Sequence, residues 1–243
     1  MTRNGWYRDQ PPDIAANIKA ISLVFKFRWS MALARFMVVA SILSLNVLTV
    51  SFAAAQEPDS KSRRYEQGPL VKKDYQGAAP DTIKNFSAST EIEVRYDYRY
   101  QIHLKDQRFQ IYVTDIEVYS IMLQKKSWNR QLYNVRLLDH EQGHFDIGEI
   151  FALKTKLEFA KQMKATRRFF SVGKSRAAVI ANLKETLNHQ FTHSVSEMKA
   201  EQIEYDDATN HGIDRKAQKL ARQGHSEERK ILQEKVKSLA GYQ

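Results

Sequence analysis

The chain contains no cysteine in 243 residues. That excludes disulfides and every zinc site built on thiolates, so a bound metal would have to be held by His, Asp or Glu. Glycine and proline are sparse, at nine and five residues. Pro58, Gly68, Pro69, Gly77 and Pro80 break up the polar stretch 56–87, which reads as a linker or an irregular arm. There are no internal repeats. Acidic residues are outnumbered, 28 against 38, for a formal charge of +10. Removing residues 1–55 takes away Arg3, Arg8, Lys19, Lys26, Arg28 and Arg35 but only Asp9 and Asp13, which leaves +6. A charge of that size, spread along the chain, favours weak contact with anionic envelope surfaces and gives no reason to expect a nucleic-acid partner.

One long uncharged apolar run stands out, residues 36–52, followed by Ala53-Ala54-Ala55 and the polar Gln-Glu-Pro-Asp-Ser. This is the pattern of a signal peptide cut after Ala55. Met31 would open a signal of ordinary length, so residues 1–30 read as an over-extended start. The alternative is an uncleaved membrane anchor, with Lys19, Lys26, Arg28 and Arg35 holding the N-terminus inside. Both place the remainder in the periplasm or outside the cell, touching the membrane only through that segment. Residues 88–243 then form one domain.

Residues 90–104 alternate cleanly: Ile92, Val94, Tyr96, Tyr98, Tyr100, Ile102 and Leu104 share one face, and charged or polar residues share the other. This predicts a long half-buried strand. Lys105–Arg108 makes a turn. The alternation resumes at Phe109 and slips by one residue near Thr114-Asp115, which predicts a bulge or a break before it continues to Leu123. Antiparallel pairing of the two stretches follows. Helical periodicity is expected from about Arg130 to past Leu157, with Ser127 or Asn129 as cap. It returns from Ser175 to about Glu204 and again over 213–239. Arg167–Gly173 reads as a connection. The fold class is α+β, a short antiparallel sheet followed by long helices.

The chemistry centres on His140-Glu141-Gln142-Gly143-His144. Positions four apart share a helix face, so both imidazoles can aim at one ion. Glu141, one residue past the first histidine, can reach a water activated there and take its proton. Tyr133, Leu137, His140, His144, Ile147 and Phe151 recur at helical spacing, so the pair continues a core-facing stripe. Gly143 weakens the helix by about 1 kcal/mol, and its missing side chain lets another backbone approach closely. His189 and His193 are also four apart, but no Glu follows the first, and such pairs commonly lie on a solvated face.

A catalytic zinc usually takes three protein ligands. The third is sought in Glu204–Gly212, with His211 preferred because Gly212 can break the helix and free its side chain. Asp206 and Asp207 are the alternatives, either as ligands or as partners of a ligating imidazole. Tyr205 could donate its hydroxyl to a developing oxyanion.

The pair of motifs, His140–Ile147 with Tyr205-Asp206-x-x-Thr209-Asn210-His211-Gly212 and then Gln218, resembles a family of exported bacterial proteins described as predicted zinc-dependent proteases with a domain of unknown function. The resemblance covers roughly residues 90–240. It implies a zincin-like helix with His140 and His144 as Zn2+ ligands, Glu141 as base, the Tyr205–His211 segment in the active site, and a polypeptide as substrate. The leading expectation is therefore an exported zinc peptidase. The competing one, from another class, is a non-catalytic metal-binding or envelope interaction protein that keeps the zinc site.

Overall fold

The computed structural model describes residues 52–54, 61–82 and 87–240. Residues 36–51 of the apolar run 36–52, and Ala55, lie outside the described residues. No helix among the described residues is long and apolar enough to cross a membrane.

Among the described residues, seven strands and three α-helices follow in order. They are β1 (Phe52–Ala54), β2 (Ser62–Arg64), β3 (Ala88–Ser89), β4 (Ile92–Lys105), β5 (Arg108–Leu123), β6 (Trp128–Asn129), α1 (Val135–Ala165), β7 (Phe169–Gly173), α2 (Arg176–Thr209) and α3 (Arg215–Ala240). The α+β reading holds. The main sheet runs β1-β4-β5-β2, with β7 also paired to β5, and β3 pairs with β6 in a separate two-stranded ribbon. Every strand pair is antiparallel.

β4 and β5 form one long hairpin. Arg99 opposes Asp115 while Tyr100 opposes Val113, so Thr114 is the extra residue. The slip expected near Thr114-Asp115 is a bulge within a continuous strand, which keeps apolar side chains on one face on both sides of it.

Three expectations are corrected. Asn134 caps α1 by accepting from the Leu137 amide, so the helix starts after, not at, Arg130. Ser127 instead donates to the Leu123 carbonyl and accepts from the Glu91 amide, and Asn129 belongs to β6. Arg167–Gly173 is not a plain connection: Arg167 and Arg168 turn the chain at positive φ, and Phe169–Gly173 adds a strand to β5. The arm preceding β3 is irregular but packed. β2 pairs with the end of β5, Leu70 and Tyr75 are buried with Met122 and Phe145, and Arg63 bridges Asp74 at 2.8 Å. β1, just before the expected cleavage point, pairs with Tyr98–Tyr100 of β4, so a cut after Ala55 would free that sheet edge.

One cluster carries the core. Val94, Tyr98, Tyr100 and Ile102 of the sheet meet Ile147, Ile150, Phe151 and Phe159 of α1, with Val179, Leu183 and Leu187 of α2 alongside. Burying each of the larger side chains contributes about 1.5–3 kcal/mol. Close approach of α1 to the sheet depends on Gly148. A Cβ there would stand 2.5 Å from Ile92 Cγ2 and 2.7 Å from Ser120 Oγ.

Gly148→Ala tests that contact. Alanine gains about 1 kcal/mol in a helix over glycine, but both collisions involve a packed sheet face. The expected net effect is a loss of about 1–3 kcal/mol, read as a lower denaturant midpoint at unchanged slope. A midpoint at or above wild type would refute the close seating of α1.

Candidate metal centre

His140 and His144 sit one turn apart on α1, and α2 runs past them. Both Nε2 atoms lie 3.0 Å from the same atom, Oδ1 of Asp206. His140, His144 and Asp206 form the group, among the described residues, that could hold a metal ion. Three donors held about 2.0–2.2 Å from one tetrahedral ion stand roughly 3.3 Å apart, so the observed spacing needs little adjustment.

The donor chemistry supports the same reading. Gln202 Nε2 donates to the His144 carbonyl at 3.0 Å, which turns its Oε1 towards His144 Nδ1. Nδ1 must therefore carry a proton, and in the neutral ring Nε2 then presents a lone pair. That lone pair faces a carboxylate oxygen, so a proton or a cation has to stand between them. Burial would lower the His144 pKa, but hydrogen bonding to Asp206 and the charges of Glu141 and Asp206 raise it above the usual value. Burial would likewise raise the Asp206 carboxyl, yet the two histidines hold it well below the ordinary carboxylate range. Asp206 is thus an anion facing two imidazoles.

The residue grouped with the two histidines is Asp206, an alternative in the sequence reading, while His211, the preferred candidate, lies outside that group. Asn210, His211 and Gly212 take positive φ in succession, which ends α2 and turns the chain. The turn leaves the His211 side chain 48% exposed, with Nδ1 3.5 Å from Asp206 Oδ1. Asp207 is exposed and outside the group. His189 and His193 lie on the solvated face of α2.

Tyr205 is corrected too. Its hydroxyl donates to the His140 carbonyl at 3.2 Å, and its ring stacks on the His140 ring at 4.9 Å. A Cβ on Gly143 would lie 2.1 Å from that hydroxyl. Gly143 therefore admits a side chain, not a backbone, and Tyr205 does not line the cleft. The close backbone approach is at Gly212, where a Cβ would stand 2.8 Å from His140 Cγ.

Glu141 is buried, lines the cleft and stays outside the donor group. Thr90 Oγ1 donates to its Oε2 at 2.5 Å, and Tyr75, 3.1 Å from Thr90 Oγ1, stands behind. Burial, with the charge of Glu141, pushes the Tyr75 phenol up, so it stays protonated. The cleft measures about 900 Å³ and runs between β3, the start of α1 and the end of α2.

Sequence reasoning missed Thr90, Tyr75 and Gln202. Gln202 had a usable signal, since it precedes Asp206 by one turn on the same helix face. Thr90 and Tyr75 had none, because their contacts join segments far apart in the chain.

Comparison with protein families, with curated proteins and with solved structures finds no match.

Metal titration of single variants separates the candidates. Asp206→Ala is expected to lose binding by about the 10–100-fold or more that follows removal of a ligand or its partner, while Asp207→Ala and His211→Ala stay within a few-fold of wild type. Loss in His211→Ala with retention in Asp206→Ala would reverse the assignment.

Proposed function

We propose that this chain is an exported zinc peptidase, with His140, His144 and Asp206 holding the metal and Glu141 acting as general base. The observation that carries the reading is the convergence of two Nε2 atoms on Asp206 Oδ1 beside a buried carboxylate held in place from behind. Two imidazoles and a carboxylate suit Zn(II) and also Fe(II). Glu141, one residue after the first ligand and lining the same cleft, favours hydrolysis with zinc. Bound zinc supplies Lewis acidity, polarising a carbonyl oxygen and bringing the pKa of water towards neutrality.

The protein's own groups do the rest. Thr90 occupies Oε2 of Glu141, which leaves Oε1 to take a proton from the attacking water and pass it to the leaving amine. Gln202 fixes the His144 ring and its tautomer. β3 lines the cleft and, among the described residues, pairs only with β6, so its other edge can take an extended peptide by main-chain hydrogen bonds. Export is supported by the apolar run 36–52 and the Ala53–Ala55 site.

Glu141→Gln keeps the size of the side chain but removes the base. Bound zinc is expected to stay near one per chain while hydrolysis of an unfolded protein falls by about 10²-fold or more. Thr90→Val should also keep zinc and lower turnover, by a smaller factor. Undiminished hydrolysis by zinc-loaded Glu141→Gln would sink the mechanism. Wild-type protein that binds zinc but cuts nothing in a broad peptide library would make it a non-catalytic metal-binding protein.

A further inference from the structure

A second groove, of about 700 Å³, lies between the first turn of α1 and the first three turns of α3. Its charged lining is Arg136, Arg215, Lys219 and Arg222 against a single carboxylate, Asp139. Asp139 is already matched, accepting from Arg222 Nε at 3.2 Å and from Gln218 Nε2 at 2.6 Å. Arg222 also pairs with Asp146 in the interior. Arg136, Arg215 and Lys219 form no ion pair among the described residues, so the groove keeps an unbalanced positive charge.

The placement of Arg136 runs against helix stability. The first turn of a helix favours Asp and Glu and disfavours Lys and Arg. Arg136 sits in the first turn of α1, which contains no acidic residue, whereas Arg215 and Lys216 open α3 beside Asp214, whose carboxylate accepts from the Lys216 and Ala217 amides. Departures from local preference of this kind are expected where function overrides stability. The groove also adjoins the metal-centre cleft, since Arg136 lines both. Arg136 precedes His140 by one turn, about 6 Å along the axis, the span of roughly two residues of extended chain.

We propose that this groove is a subsite for the carboxylate side chains of a polypeptide bound across the metal centre, so that cleavage favours chains with Asp or Glu from about two residues beyond the cut, on one side of it. The proposal rests on the peptidase reading for the cut, but not for the binding. Arg136 meets the first carboxylate, and Arg215 and Lys219 meet those further out.

Two measurements keep the two readings apart. In the first, zinc-loaded protein is given matched peptides carrying Glu or Gln at positions two to five on either side of the cut. The expected result is about a tenfold higher kcat/KM for the Glu peptide on one side, through KM, in low salt. The ratio should fall towards one at about 0.5 M salt and in Arg215→Glu/Lys219→Glu. In the second, a labelled Glu-rich peptide is bound to the zinc-loaded Glu141→Gln protein and to the metal-free protein. Binding in both, lost on charge reversal, supports the subsite even if no peptide is ever cut, and in that case the peptidase reading alone fails. Equal cleavage of Glu and Gln peptides by wild type, or binding unaltered by the double reversal in a variant with wild-type circular dichroism, overturns the subsite and leaves the peptidase reading standing.

Discussion

At Gly143 the absent side chain lets the Tyr205 ring settle against α1, and the separation of α1 and α2 is limited there. Asp206 follows Tyr205 directly, so the seating of one ring bears on how far a carboxylate stands from two imidazoles. The stacking of Tyr205 on His140 and its bond to the His140 carbonyl act in the same direction. Stacked or tilted ring pairs contribute about 0.5–1.5 kcal/mol beyond area burial, enough to bias the spacing of two helices but not to impose it alone. The apolar cluster under α1 and α2 supplies the remainder.

α1 is held from its other side by charge. Asp146 is buried and meets Arg222 and Arg229 of α3, the Tyr65 hydroxyl at 2.6 Å and Gln142 Nε2 at 2.9 Å. Gln142 in turn accepts from the Leu70 amide. A carboxylate taken out of water costs several kcal/mol unless its lone pairs are filled, and here every partner comes from α1 itself, α3 or the arm before β3. The arm is thereby bound to the helix that carries the donors. His140 and His144 sit between the two constraints, Tyr205 on one side and Asp146 on the other.

These two layers differ in how visible they are in the sequence. His140, Glu141 and His144 are readable because helical spacing is local, and the β4–β5 hairpin with its bulge because alternation is local too. The choice between His211 and Asp206 depends on which residue ends α2. Gly212 suggested a helix broken early enough to swing His211 inwards. In the structure Asn210 already turns left-handed, His211 is carried to the rim, and Asp206 remains on the last full turns of the helix. Tyr205 looked like an oxyanion donor because it lies in the second motif, yet it and Asp206 are neighbours on a helix and point about 100° apart. Thr90 had no pattern to announce it, since its partner Glu141 lies across the sheet-to-helix boundary.

Two donors belong to α1 and one to α2, so an ion at the centre would be a removable cross-link between helices. Anything that binds only the docked arrangement stabilises it in proportion to the logarithm of its concentration over its dissociation constant. Scarcity of metal would then loosen α2 before it unfolds the sheet, and the chain's resistance to proteolysis would follow metal supply in its compartment. Turnover of the protein itself would then be coupled to the availability of that ion.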